Sequence, residues 1–297
     1  MSSQVLHGII PAVLVPFTPE GAVDEPALRA YVEFLIEAGV HGLFPLGTNG
    51  EGPLLSVPER QRVAEVVVRQ AAGRIPVVLQ TGAITTAETV TLSRHAREIG
   101  AQGVAVVAPY YFPHDERSLA AHFGAVAEAV PDLPLYLYNI PGNAKNDLKP
   151  ELVVQLAERY HHVRGVKDSS KDLNRLQDYL QAAPPGFEVL VGTDSLAAPA
   201  LLMGATGVVS AVGNCFPEIM VRLYDSFRAG RLEAARDLQY TVNALREALK
   251  RGPYISPYKL ALQLRGLAFG GVRGPLRWPT EVEAAELRSS LARLGLL

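Results

Sequence analysis

The chain has 297 residues, 48% of them hydrophobic and 20% charged, enough to bury one large core or one core with a small appendage. Lys and Arg number 28 against 30 Asp and Glu, and the resulting formal charge of −2 offers no electrostatic footprint for nucleic acid or an anionic membrane. The single cysteine, Cys215, excludes an internal disulfide and a thiolate zinc cage and fits a reducing compartment.

The opening "MSSQVLHGIIPAVLVPF" lacks a basic n-region, and Pro11 breaks its apolar stretch. No apolar run approaches the roughly 20 residues of a membrane span, so a cytoplasmic protein is expected. Short β-branched apolar runs then alternate with longer segments of helical period. In chain order the strand candidates are "GIIPAVLVPF", "GLFPLG", "PVVLQTG", "GVAVVAP", "LPLYLYNI", "VRGVKDSS", "FEVLVGTD" and "GVVSAVGN". Helix starts are marked by Asp24 before Glu25-Pro26, by Ser56 with Glu59, and by Thr85 with Glu88. Eight nearly continuous apolar strands, each followed by a helix, predict a parallel sheet closed into a (β/α)8 barrel over residues 1–230. An open doubly wound sheet shares the local pattern and is the competing architecture. From residue 231 to 297 only helical periods follow, which predicts a C-terminal helical appendage.

In such barrels chemistry is sought where the strands end. "VRGVKDSS" carries Lys167 to that end. A free lysine titrates near 10.4 and is almost wholly protonated at neutral pH, whereas burial lowers its pKa and makes the amine a nucleophile for a ketone. The alternative is a lysine ion-paired at the rim, but its neighbour Asp168 points to the opposite face of the strand. Tyr136 and Tyr138 share one face of "LPLYLYNI", and Tyr138, nearest the strand's end, is either a packed ring or a phenol that moves protons. The loop "GTNGEG", Gly47 to Gly52, lacks the Lys-Ser/Thr of a P-loop and the order of a dinucleotide fingerprint. It is either a tight turn or a cradle of N–H groups and the Thr48 hydroxyl for a carboxylate. The seven histidines show no H-x-x-x-H spacing, and His161 with His162 falls where a helix should end, so no metal site is expected.

The segments "GTNGE" (47–51), "PYYFP" (109–113), "YNIPG" (138–142), "GVKDS" (165–169), "GTD" (192–194) and "GVVS" (207–210), in this order and spacing, resemble the dihydrodipicolinate synthase / N-acetylneuraminate lyase family of pyruvate-dependent class I aldolases. The resemblance covers essentially the whole chain. It implies a (β/α)8 barrel with C-terminal helices, a homotetramer, and a Schiff base between a lysine and pyruvate or another 2-keto acid, with no cofactor. Carried over, Lys167 is that lysine and Tyr138 the proton-transferring phenol. Thr48 and Tyr111 complete the proton relay, Tyr111 reaching in from a neighbouring subunit. The carboxylate falls to the loop residues Gly47, Thr48 and Asn49, and Gly192 and Val209 line the lysine's pocket. The synthases carry an arginine for the second substrate where this chain has Asn143, a loss that a neutral amide does not make good. That departure favours an aldolase cleaving a 2-keto-3-deoxy sugar acid or a 4-hydroxy-2-oxo acid to pyruvate and an aldehyde. Dihydrodipicolinate synthase is the alternative, and a non-catalytic keto-acid-binding protein is the alternative of another class.

Overall fold

The computed structural model describes residues 6–297. Seven parallel strands form one sheet: β1 (Gly8–Pro11), β2 (Val78–Gln80), β3 (Gly103–Val107), β4 (Leu135–Asn139), β5 (Val163–Asp168), β6 (Glu188–Val191) and β7 (Gly207–Ser210), in the order β1-β7-β6-β5-β4-β3-β2. The second predicted strand, "GLFPLG", closes the ring as a single parallel bridge, Leu43 to Val77. On one side Phe44 N–H donates to Pro11 O at 3.0 Å and Val13 N–H to Phe44 O at 3.1 Å. On the other, Val78 N–H donates to Leu43 O at 3.0 Å and Gln80 N–H to Pro45 O at 3.1 Å. Pro45 has no N–H to give, which shortens the ladder here and leaves a bridge where a full strand was expected. The fold is a (β/α)8 barrel.

The outer layer comprises α1 (Glu25–Glu37), α2 (Val57–Ala71), α3 (Thr86–Glu98), α4 (Glu116–Ala129), the single turn α5 (Pro141–Ala144), α6 (Pro150–Arg159), α7 (Leu173–Ala182), α8 (Ala197–Met203) and α9 (Pro217–Arg228). The predicted starts hold. Asp24 accepts from Ala27 N–H at 3.1 Å, Thr85 Oγ1 from Glu88 N–H at 3.2 Å, and Glu59 reaches back to Ser56 N–H at 2.9 Å. Each such cap stabilises its helix by about 1 kcal/mol.

Three further helices follow: α10 (Leu232–Leu249), α11 (Ser256–Leu264) and α12 (Glu281–Arg293). The first two are fastened to the loops at the strands' C-terminal ends, and α12 packs on them. Gln239 of α10 donates to Asp194 O at 2.9 Å and accepts from Ala198 N–H at 2.7 Å. Lys259 of α11 meets Glu51 of the "GTNGEG" loop at 2.5 Å, and both side chains are fully buried. Glu51 also accepts from Arg273 N–H at 2.7 Å, while the Arg273 guanidinium holds Glu59 at 2.7 Å.

The β4–β5 pairing sets the geometry of the interior. Leu135 lies opposite Val163 but Tyr136 lies opposite Gly165, so Arg164 is an extra residue in β5. From there the register places Tyr138 beside Lys167 and Asn139 beside Asp168. Because strand side chains alternate, an unbulged ladder would put Lys167 opposite Asn139 on the other face. Gly165 permits the arrangement: a Cβ there would stand 2.8 Å from the Tyr136 ring and 2.4 Å from Glu188 O.

Candidate active site

A cavity of about 390 Å³ opens at the C-terminal end of the barrel, lined by Thr48, Asn49, Tyr138, Asn143, Lys167, Gly192 and Val209 among others. Those seven are all sequence-predicted site residues. Lys167 is 4% exposed, with Nζ 4.0 Å from the centre of the Phe44 ring and 3.8 Å from that of Tyr138. Burial lowers its pKa from 10.5 to about 7, and the more distant Asp194 carboxylate only partly opposes the shift. Two aromatic faces stabilise an ammonium far less than a contact carboxylate does.

The neighbouring carboxylates are committed elsewhere. Asp168 accepts from Asn139 Nδ2 at 2.9 Å and from Ser170 Oγ at 2.6 Å, on the face away from the cavity. Asp194 accepts from Ser210 Oγ at 2.5 Å and from the N–H groups of Ala211 and Val212, each at 3.1 Å. The rim ion pair with Asp168 that sequence alone left open does not form.

The hydroxyls of Tyr138 and Thr48 lie 3.4 Å apart, and burial raises the phenol's pKa against the opposing influence of Thr48 and Ser169. A neutral phenol beside an amine, continued by a threonine hydroxyl, is a proton path of two links. Tyr136, by contrast, is core: its hydroxyl donates to buried Glu188 at 2.6 Å. Gly192 is needed because a Cβ would stand 3.1 Å from Lys167 Cε and would overlap Ser169 Oγ outright.

Two expected residues lie elsewhere. Gly47 does not line the cavity and instead seats the Phe44 ring, which a Cβ would meet at 3.3 Å. Tyr111 is 76% exposed, packs edge-on against Phe112 with centroids 4.9 Å apart, and does not enter its own chain's cavity. Its φ of +84° is costly for a tyrosine.

Sequence reasoning missed Phe44, Ser169, Tyr254 and Ile255. The last two come from the turn between α10 and α11 and form one wall, with Ile255 in a left-handed conformation, φ +70°, that β-branched residues rarely adopt. A strand-period reading of "GLFPLG" could have flagged Phe44; nothing local marks the turn. Among the described residues no group of three or more His, Cys, Asp and Glu side chains is placed to hold a metal ion, and no helix is long and apolar enough to cross a membrane.

The model of the Dihydrodipicolinate synthetase family matches residues 5–294. The chain belongs to this family. Dihydrodipicolinate synthetase family members are lyases and synthases of the class I aldolase type, and the chain is a pyruvate aldolase of that family. It is 45% identical over 292 residues to an uncharacterized DapA-like lyase of Halobacterium salinarum, covering 98% of this chain and 95% of the relative. It is 40% identical to the 4-hydroxy-tetrahydrodipicolinate synthase of Methanopyrus kandleri, covering 98% and 97%. Among solved structures, the prophage protein YagE of E. coli K12, of the dihydrodipicolinic acid synthase family and in complex with pyruvate, superimposes with a TM-score of 0.96 at 34% identity, covering 99% of this chain and all of that one.

Proposed function

We propose that the protein is a Schiff-base-forming aldolase that cleaves a 2-keto-3-deoxy sugar acid or a 4-hydroxy-2-oxo acid to pyruvate and an aldehyde. One observation carries this reading: an amine poised near neutrality, with no contact carboxylate, beside a Tyr138–Thr48 hydroxyl pair in the cavity at the C-terminal end of the barrel. The neutral Lys167 amine attacks the ketone carbon of the substrate, and Tyr138 delivers the proton with which the carbinol oxygen leaves as water. In the iminium so formed, the bond between C3 and C4 breaks and its electron pair moves to the nitrogen. Tyr138 and Thr48 accept the proton of the C4 hydroxyl, and the aldehyde departs. Protonation of the enamine at C3 and hydrolysis by water release pyruvate and restore the amine.

Thr48 and the Asn49 backbone receive the keto-acid carboxylate, and Gly192 and Val209 leave space for the iminium. No metal or cofactor takes part in this scheme. We further propose a cytoplasmic homotetramer in which Tyr111, exposed and strained in the single chain, completes a neighbour's relay.

A second reading, 4-hydroxy-tetrahydrodipicolinate synthase, is favoured by the names of relatives at 39–40% identity in Methanopyrus kandleri and Syntrophus aciditrophicus. Asn143, uncharged where the synthases carry arginine, weighs against it. The test has two steps. Borohydride reduction in the presence of pyruvate, followed by peptide mapping, should leave a stable adduct on Lys167, and a folded protein without one overturns the Schiff-base reading. Coupled assays with pyruvate and individual aldehydes then rank the partners, and efficient cyclised product from aspartate semialdehyde would install the second reading.

A further inference from the structure

The cavity that holds Lys167 is also lined by three other cations: Arg246 from the last turn of α10, Lys250 from its C-cap, and Lys171 from the loop after β5. The three belong to one electrostatic cluster: the ammonium of Lys250 is disfavoured by burial, then by Arg246 and more weakly by Lys171, with Glu247 and Asp194 opposing. Little on the protein neutralises them. Arg246 meets Glu247 at 3.1 Å, but that carboxylate is 66% exposed and screened by water. Asp194 also faces the cluster, and its oxygens are taken by Ser210, Ala211 and Val212. Among the described residues no carboxylate lies within 4 Å of the ammonium of Lys171 or Lys250.

A helix C-terminus favours cations, and this accounts for Arg246 and Lys250 as single residues. It does not account for Lys171, which arrives from a different element with a left-handed φ of +69°. Three cations gathered from two elements around one cavity, one of them held in a disfavoured backbone conformation, form an incomplete charge arrangement. An anion completes it.

Resting on the reading of Lys167 as the Schiff-base lysine, we propose that Arg246, Lys250 and Lys171 bind a second anionic group at the far end of the substrate, a phosphate or a carboxylate on the end remote from the keto acid. The substrate then has two anionic ends, one received by Thr48 and Asn49 and the other by this trio. With Asn143 neutral, the charge that selects the aldehyde portion comes from α10 and the β5 loop. A guanidinium flanked by two ammonium groups suits a phosphate in particular.

The experiment measures half-saturation of borohydride trapping on Lys167 with two matched pairs of 2-keto acids. One pair is 2-keto-3-deoxygluconate with its 6-phosphate, and the other is 2-oxohexanoate with 2-oxoadipate. The anionic member of at least one pair should half-saturate at a concentration at least tenfold lower, with the advantage shrinking between 50 and 500 mM NaCl. The pair that shows the larger ratio tells phosphate from carboxylate. In the triple variant Arg246→Gln, Lys250→Gln, Lys171→Gln the ratio should fall to near one, and in the unmodified protein inorganic phosphate should compete with the anionic member more strongly than with pyruvate. Equal half-saturation within both pairs, or a ratio that survives the triple substitution, overturns the subsite while an adduct with pyruvate leaves the aldolase reading standing. No adduct with any keto acid overturns the reading of Lys167 and the subsite with it.

Discussion

Two lysines are buried among the described residues, and their surroundings differ. Lys259 touches the carboxylate of Glu51 at 2.5 Å, donates to Gly271 O at 2.9 Å and lies over the Phe17 ring at 4.3 Å. Lys167 has two aromatic rings and no contact carboxylate. Burial lowers both pKa values, to about 7 at Lys167 and to about 8 at Lys259, where Glu51 opposes the shift. Burial depresses both amines, and what sets Lys167 apart is its place in the cavity with no counter-ion in contact, which the fold arranges by turning Asp168 to the opposite face and saturating Asp194 with three donors.

The comparison breaks most sharply if the two lysines are exchanged in role. Lys167→Met should abolish trapping of pyruvate and turnover while stabilising the fold, since it removes a group whose charged form the folded state disfavours. The folded pKa lies below the unfolded value of 10.5, so the penalty is complete below about pH 7 and disappears as pH rises toward 10.5. The gain, at most about 5 kcal/mol, should thus appear as a raised Tm at pH 7 that vanishes near pH 10.5. Lys259→Met should do the reverse. It leaves Glu51 buried without its cation, costs about 3–5 kcal/mol in denaturant titrations, and still permits an adduct on Lys167. Adding Glu51→Gln should recover part of that loss.

Smaller effects sharpen the comparison. Tyr138→Phe should slow single-turnover cleavage by about 10²–10⁴-fold while the Tm moves little, because the lost hydroxyl interacts only with the hydroxyls of Thr48, at a long 3.4 Å, and Ser169. The rate of adduct formation with pyruvate should rise about tenfold between pH 6 and 8 as the Lys167 ammonium, with its pKa of about 7, gives up its proton. A rate that is flat across this range would mean that a group other than the amine controls the step.

Sequence periodicity placed seven of the eight strands and set Lys167 and Tyr138 at strand ends, because these positions follow from alternation along one strand and from the rule that chemistry sits at strand ends, but it left Tyr138 open between a packed ring and a proton-moving phenol. It was insufficient wherever geometry depends on two strands or on distant segments. The extra residue Arg164, which aligns Lys167 with Tyr138, leaves no compositional trace. Glu51 reads as part of a glycine-rich substrate loop, yet it faces α11 and the segment around Arg273, more than 200 residues away in sequence. The wall formed by Tyr254 and Ile255 was equally hidden: a helical tail looks like an appendage until its turn is found across the cavity mouth.

The near-neutral resting state of Lys167 also fixes a proton stoichiometry. At pH 7 an amine with a pKa of about 7 is charged in about half of the molecules, whereas the iminium proposed above carries a full positive charge. Each pyruvate bound would then draw about half a proton from the buffer at pH 7, almost none at pH 5 and nearly one at pH 9. Calorimetric heats of pyruvate binding should accordingly differ between phosphate and Tris at pH 7 in proportion to the ionisation enthalpies of the two buffers, and cease to differ as the pH is lowered toward 5.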